Sequence, residues 1–269
     1  MVDYVCISYD RADSIKKKTL SMLLENNIPK DKIYIVVASK AQQALYKQSI
    51  DDDAIKIIVG VKGIVQVRDW VRRKWNGKKI VMMDDDIRHI YKYKKIPNKS
   101  YGKYTIITNF SKWVDIVFEL LNKYGGRLGG FTSNLNGLNG STNIVMGLVS
   151  FTRCWCEVCD KKIQLTNPAR ALFEDVWLSY MYYKKYGNNI LVKGISSGKE
   201  ETMKNEGGLM SDYTLTERQK HLYRESKLLY DKYPEYHSSV KVIDNKKDLG
   251  GSYYKGRIKS SLREVIGHS

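Results

Sequence analysis

Long apolar runs are missing from this chain. No stretch of its 269 residues reaches the length of a bilayer span, so no transmembrane helix is expected. No leader-like segment precedes the first apolar stretch, Tyr4–Ser8, and the reading is of an intracellular, cytoplasmic protein without a membrane partner. Cysteine is scarce, with four residues in all, which excludes a disulfide-built scaffold. Cys6 lies in an apolar segment and reads as a buried thiol. Cys154, Cys156 and Cys159 are clustered, and three thiolates with a histidine or water suit zinc. No fourth ligand follows at standard spacing, so reduced thiols are the first expectation. Internal repeats and long low-complexity linkers are also absent. One domain over 1–210 is expected, with a basic C-terminal extension over 211–269 packed on it, as a monomer.

Acidic residues are outnumbered, 29 against 46 Lys and Arg, giving a formal net charge of +17. That excess predicts a polyanionic partner, nucleic acid first and an anionic membrane surface second. The imbalance is uneven. From Arg88 to Arg127 only Asp115 and Glu119 offset a run of lysines, and Tyr91, Tyr93, Tyr101 and Tyr104 are interleaved with it. Basic groups neutralise phosphates and rings stack on bases, so this segment and the basic helix expected at Thr216–Lys232 are the candidate nucleic-acid surfaces.

Against this background one acidic point stands out. Ile80–Ile87 reads Ile-Val-Met-Met-Asp-Asp-Asp-Ile. The apolar run suits a buried strand, and its charged end must lie at the sheet edge. Adjacent carboxylates repel, and a divalent cation relieves the repulsion. The triplet therefore reads as a metal site aimed at a phosphorylated ligand.

The first half alternates strand and helix patterns. Strands are predicted at Tyr4–Ser8, Ile33–Ala38, Ile55–Val59 and Ile80–Met83, with helices from Asp13 or Ser14 to Glu25, over Ala41–Gln48 and over Val65–Trp75. This order implies βαβ units and a mostly parallel sheet flanked by helices, with ligands beyond the carboxyl ends of the strands. Ser8–Asp13, Gly60–Arg68 and Asp84–Asp86 fall on that rim. Further on, a helix is expected from Ser111 to Tyr124 and turns or a hairpin over Gly125–Gly147. A strand at Ile144–Phe151, a helix opened by Asn167-Pro168 and a strand at Ile190–Val192 follow. Ser196–Ser211 reads as a mobile loop, and Ile258–Ile266 as a last helix.

Ile7-Ser8-Tyr9-Asp10-Arg11 after the first strand, Gly60–Arg68 after the third, Asp84-Asp85-Asp86 after the fourth and Phe173-Glu174-Asp175 opening a later helix resemble the GT-A class of nucleotide-sugar glycosyltransferases. The resemblance covers about Tyr4 to Val192 and implies a GT-A-like α/β fold, here with a C-terminal helical extension. Within that class the small size, the basic surface and the Ser-Tyr-x-Arg start look like the phage enzymes, associated with TET-type oxygenases, that glycosylate modified bases in DNA. The implied activity is transfer from a UDP-sugar to a hydroxylated pyrimidine such as 5-hydroxymethylcytosine, with Mn²⁺ or Mg²⁺, in the host cytoplasm.

The resemblance implies Asp86 as direct metal ligand, Asp84 on the ribose or on the metal through water, and His237 as a further metal ligand, with His89 a second possibility. Asp85 is the doubtful member, since strand alternation points it away. Arg68 would grip Asp84 or a donor phosphate, and Ser8, Tyr9 and Arg11 would surround the uracil and ribose. Asp175, with Glu174 beside it, is the candidate for activating the acceptor hydroxyl, and helix-dipole compensation alone would explain one of these two acids.

Three other readings stand beside this one. The first is a glycosyltransferase acting on protein or glycolipid. The second is a non-catalytic nucleic-acid-binding protein of the same fold. The third is a nucleotidyltransferase, disfavoured because Ser8–Ser14 contains no glycine for a phosphate loop.

Overall fold

The computed structural model of the chain describes residues 1–138, 140–166, 173–198, 215–245 and 251–266. Strand and helix alternate from the start. β1 (Val2–Ile7) leads to α1 (Ala12–Ile15), which runs through a π-helical turn at Lys16–Leu20 into α2 (Ser21–Glu25). Then come β2 (Ile33–Val37), α3 (Lys40–Ile50), β3 (Lys56–Val59), α4 (Ile64–Lys74) and β4 (Lys79–Met83). The chain continues through β5 (Ile90–Lys95), β6 (Gly102–Ile107), α5 (Phe110–Lys123), β7 (Leu128–Thr132), β8 (Ile144–Gly147) and β9 (Cys154–Val158). It ends with α6 (Glu174–Tyr186), β10 (Asn189–Ser196), α7 (Leu215–Lys232), β11 (His237–Asn245), β12 (Gly251–Ile258) and β13 (Arg263–Ile266).

The molecule is α/β. Its central sheet has the order β13-β8-β10-β7-β9-β4-β1-β2-β3, with the β5–β6 ribbon attached through β10. β3, β2, β1 and β4 are parallel, so all four deliver their carboxyl ends to one rim. β9 runs antiparallel to β4, pairing Cys154 with Met83. The start of β9 therefore lies at the same rim as the end of β4.

Alternation along β4 explains its unbroken apolar run. Ile80 and Met82 enter one core with Val67 and Val71 of α4 and Leu178 and Tyr182 of α6. Val81 and Met83 enter the other with Val114 and Val117 of α5. A strand covered by helices on both faces has no polar positions to offer until it leaves the sheet. The same alternation settles the cysteines. Cys154 and Cys156 lie in one core and Cys159 in the other, all buried as free thiols. They cannot converge on zinc.

Several elements differ from the sequence expectation: β5, β6 and β9 were not foreseen, and the extension expected to be helical carries the antiparallel β11–β12 hairpin after α7. β7 occupies part of the Gly-rich stretch read as turns. Its Gly129 and Gly130 are where α5 and Phe151 approach the sheet, and an added Cβ would lie 2.7 Å from Val117 Cγ1 at the first and 2.8 Å from Phe151 Cδ1 at the second. The glycines permit close packing. The strand expected over Ile144–Phe151 ends at Gly147, whose φ is +110°. Ile258–Ile266 is not a helix. It carries the end of β12, a 3₁₀ turn at Ser260–Leu262 and β13, which pairs with β8 and ties the C-terminal segment into the main sheet. The first helix has Arg11 at its N-cap, without a side-chain cap from Asp13 or Ser14. The proposed opening at Asn167-Pro168 and residues 199–211 of the expected loop lie outside the described residues, and α6 starts at Glu174.

α4 is locked by a buried ion network. Arg72, fully buried, donates to Asp69 Oδ1 at 2.6 Å and to the carbonyl of Ile163, and lies 4.0 Å from Glu157 Oε1. Asp69 accepts from the amides of Leu165 and Thr166, and Glu157 from Trp155 and Tyr182. Removing the cation strands two buried carboxylates. Arg72→Met should therefore cost about 3–5 kcal/mol in urea unfolding, and a loss below about 1 kcal/mol would show that the network is not structural.

Candidate active site

Three carboxylates leave β4 in succession, and each meets a different arginine. Asp85, buried, turns toward β1, where its Oδ2 accepts from Ser8 Oγ at 2.7 Å and its Oδ1 from Arg11 Nη1 at 3.1 Å. Tyr46 Oη of α3 lies 2.7 Å from Ser8 Oγ and accepts from the Arg11 amide. Asp84 turns toward α4, with its Oδ1 3.2 Å from Arg68 Nη2. Asp86 faces Arg153, which donates from Nη2 to Asp86 Oδ1 at 2.5 Å and to its carbonyl at 3.1 Å. The turn itself is pinned from below. Thr19 Oγ1 donates to the Asp84 carbonyl and accepts from the Ile87 amide, and the Asp84 amide donates to the Arg153 carbonyl.

Arg68 joins two segments far apart in sequence. Its side chain is only 4% exposed and lies with Nη1 2.6 Å from Glu174 Oε1, at the first residue of α6. That contact engages Nη1 with the Glu174 carboxylate, so Nε is the nitrogen of this guanidinium left without an acceptor. The Trp155 ring lies 4.6 Å from the Arg68 carbon Cζ. A buried cation shared by two carboxylates and backed by an aromatic face fixes the local charge at this end of the site.

The electrostatics of the carboxylates follow from this crowding. Asp84 is pushed up to about 7, chiefly by burial, with Arg68 opposing and Asp86 and Asp85 reinforcing the rise. Its side chain is still 36% exposed, so it faces the rim. Glu174 and Asp175 are both raised, again chiefly by burial and against Arg68. Asp175 Oδ1 accepts from the Val176 amide at 2.7 Å. A pair of acids held close to neutrality at a helix start, beside a third on the sheet rim, is suited to taking a proton from a hydroxyl.

The predicted residues are thus brought together in part. Ser8, Arg11 and Asp85 form one group, and Arg68, Asp84 and Glu174 form another. Each Asp85 carboxylate oxygen accepts a hydrogen bond from one of these two, Oδ2 from Ser8 and Oδ1 from Arg11. The Tyr9 ring lies 5.4 Å from Lys62 Nζ, on the loop before α4. His89 packs its ring edge-on to Tyr91.

His237 is withdrawn from the metal set expected for it. Its Nδ1 lies 2.9 Å from the Tyr233 carbonyl, which can only accept, so Nδ1 carries the proton. Nε2 is then the acceptor for Tyr180 Oη at 2.7 Å. Burial lowers its pKa, in keeping with this neutral tautomer. Both nitrogens are engaged, and the ring belongs to the aromatic packing of α6 and α7 with Tyr180 and Tyr230.

Among the described residues no three His, Cys, Asp or Glu side chains converge on one point. Asp84 and Asp86 lie two residues apart on the turn after β4 and carry hard oxygens, the donor type that Mg²⁺ or Mn²⁺ takes together with substrate phosphates. Sequence reasoning missed Arg153, Thr19 and Trp155. Arg153 carries a positive φ of 65° at the entry to β9, and no local motif marks it.

No protein-family model matches this chain, and no curated protein matches it. Among solved structures, a mycobacterial protein aligns over 98% of this chain and 85% of its own, with a TM-score of 0.50 and 9% identity. A Bacillus anthracis chain described as a glucose-1-phosphate thymidylyltransferase aligns over 71% of this chain and 86% of its own, with a TM-score of 0.42 and 10% identity. The first likeness is one of fold, and the second is too partial to carry an argument.

Proposed function

We propose that this protein is a metal-dependent glycosyltransferase that moves a sugar from a UDP-sugar to a hydroxylated pyrimidine in DNA. The observation that carries the reading is the Arg68 junction, which couples the aspartate at the end of β4 to the acidic start of α6 at one rim. A cation held by Asp84 and Asp86 would neutralise diphosphate charge as the glycosidic bond breaks. Arg68 supplies positive charge beside the same phosphates, with the Trp155 ring packed on its guanidinium. Asp85 fixes Ser8 and Arg11 for the nucleoside. Asp175 accepts the proton of the acceptor hydroxyl while Glu174 stays paired with Arg68. The basic surface draws in the polyanionic acceptor.

The test is incubation with Mn²⁺, a panel of UDP-sugars and hydroxymethylated DNA, followed by nucleoside mass analysis. A mass gain of one hexose or pentose supports the reading. No gain with any donor, together with no thermal shift on adding Mn²⁺ and UDP, overturns it. The base must be ionised to act, and its pKa is raised. kcat should therefore fall as pH drops, along an acid limb lying above the ordinary carboxylate range near 4. Asp175→Asn should remove that limb along with most activity. An unchanged limb in the residual activity would assign the base elsewhere.

A further inference from the structure

Between Ile87 and Val114 the sequence contains no Asp or Glu, and it carries Arg88 and six lysines. The structure folds the middle of this stretch into the β5–β6 ribbon, which starts four residues after Asp86. Pairing along the ribbon sorts its side chains. Lys92 opposes Thr105 and Lys94 opposes Lys103 on one face, whereas Tyr91 opposes Ile106 and Tyr93 opposes Tyr104 on the other. Lys92, Lys94 and Lys103 are all exposed.

Like charges directly across a strand pair destabilise it. Lys94 and Lys103 are such a pair, and among the described residues neither has a carboxylate partner. A fold that keeps two ammonium groups opposed without a counterion is arranged for an anion from outside. Of the four interleaved tyrosines only Tyr101, just before β6, is exposed. Tyr93 is buried against Tyr104, and Tyr91 is half-buried beside Gly198. Within the paired strands the lysine face therefore offers charge and no ring, which suits phosphates and favours a duplex over a single strand. The other basic candidate, α7, mixes in acids, with Lys227 paired to Asp231.

We propose that the lysine face of the β5–β6 ribbon is the surface that seats duplex DNA, with the ribbon lying along the major groove. This rests on the reading of the site as a DNA-base glycosyltransferase. A two-stranded ribbon fits that groove, which is about 12 Å wide, and six residues of strand extend about 20 Å. A hydroxymethyl group at the pyrimidine 5-position projects into the same groove. The ribbon rises directly from the aspartate turn, so the groove it occupies opens at the catalytic rim.

The test uses the full-length protein with Lys94→Glu and Lys94→Glu/Lys103→Glu, titrated against one sequence as duplex and as single strand across a salt series. Wild type should prefer the duplex. Lys94→Glu should weaken duplex binding about tenfold and lower the slope of log Kd against log salt by about 1 or more. It should leave Tm equal or higher, because it sets a carboxylate opposite Lys103, and Mn²⁺-dependent UDP binding should not change. The double variant should weaken duplex binding further. Wild-type duplex binding that neither variant alters overturns the ribbon assignment and leaves the glycosyltransferase reading standing. Tighter binding to the single strand overturns the groove. Failure of wild type to bind DNA at low salt removes both the assignment and the DNA acceptor.

Discussion

Asp84→Asn should abolish sugar transfer, by roughly 10³-fold, and at the same time raise the thermal stability of the ligand-free protein. The two effects have one cause. Asp84 is held ionised at the sheet rim against burial and against two neighbouring aspartates, and its pKa is raised to about 7. A carboxyl whose folded pKa exceeds its unfolded value of about 4 binds protons more tightly in the native state. Its contribution to stability is therefore present at low pH and fades as pH rises from about 4 through about 7. The amide removes that penalty, so Tm at pH 8 should rise, by less than full burial would give because the side chain is 36% exposed, while at pH 4 wild type and variant should converge. Added Mn²⁺ with UDP should reverse the order, stabilising wild type only. A variant less stable than wild type at pH 8 would mean that the ion pair with Arg68 outweighs the burial of the charge.

Arg68→Met should have the next largest effect. The methionine fills space against Trp155 but leaves Asp84 and Glu174 without their shared cation. Arg68 is the group holding both pKa values down against burial. Without it they rise further, so the loss of stability should be greatest at pH 8 and shrink toward pH 5. Transfer should fall by about 10²–10³-fold, the effect of losing a fixed donor to a developing charge. Arg68→Lys, which keeps the charge but not the fork, should recover stability more fully than activity. Tm profiles over pH and single-turnover rates check both statements. A pH-independent loss of stability would show that Arg68 matters only through packing.

How much of the site was legible differed from residue to residue. The aspartate triplet could be read because an apolar run ending in three charges has few physical explanations. Glu174 and Asp175 could be placed at a helix start, but their meeting with Asp84 through Arg68 could not, since α4 and α6 are about a hundred residues apart in sequence and share no local pattern. His237 shows the reverse error. The resemblance implied a metal ligand, yet Tyr180 and the Tyr233 carbonyl take both ring nitrogens once α6 and α7 pack. The ribbon was read as a basic, tyrosine-rich segment. Its division into a lysine face and a tyrosine face needed the β5–β6 register.

By itself the sequence determined four strands alternating with helices, a mostly parallel sheet, the rim at its carboxyl ends and the acidic point upon it. Those depend on periodicity, capping and apolar runs within ten or fifteen residues, where local propensity and burial act together. Arg68 was expected near Asp84, but the tertiary structure alone decided that Arg11 answers Asp85 and Arg153 answers Asp86. β9 returns antiparallel to β4 and sets Arg153 beside Asp86, and the glycines of β7 admit α5 to the sheet. Such contacts are fixed by strand order and close packing between distant segments, and no local stretch of the chain carries that information.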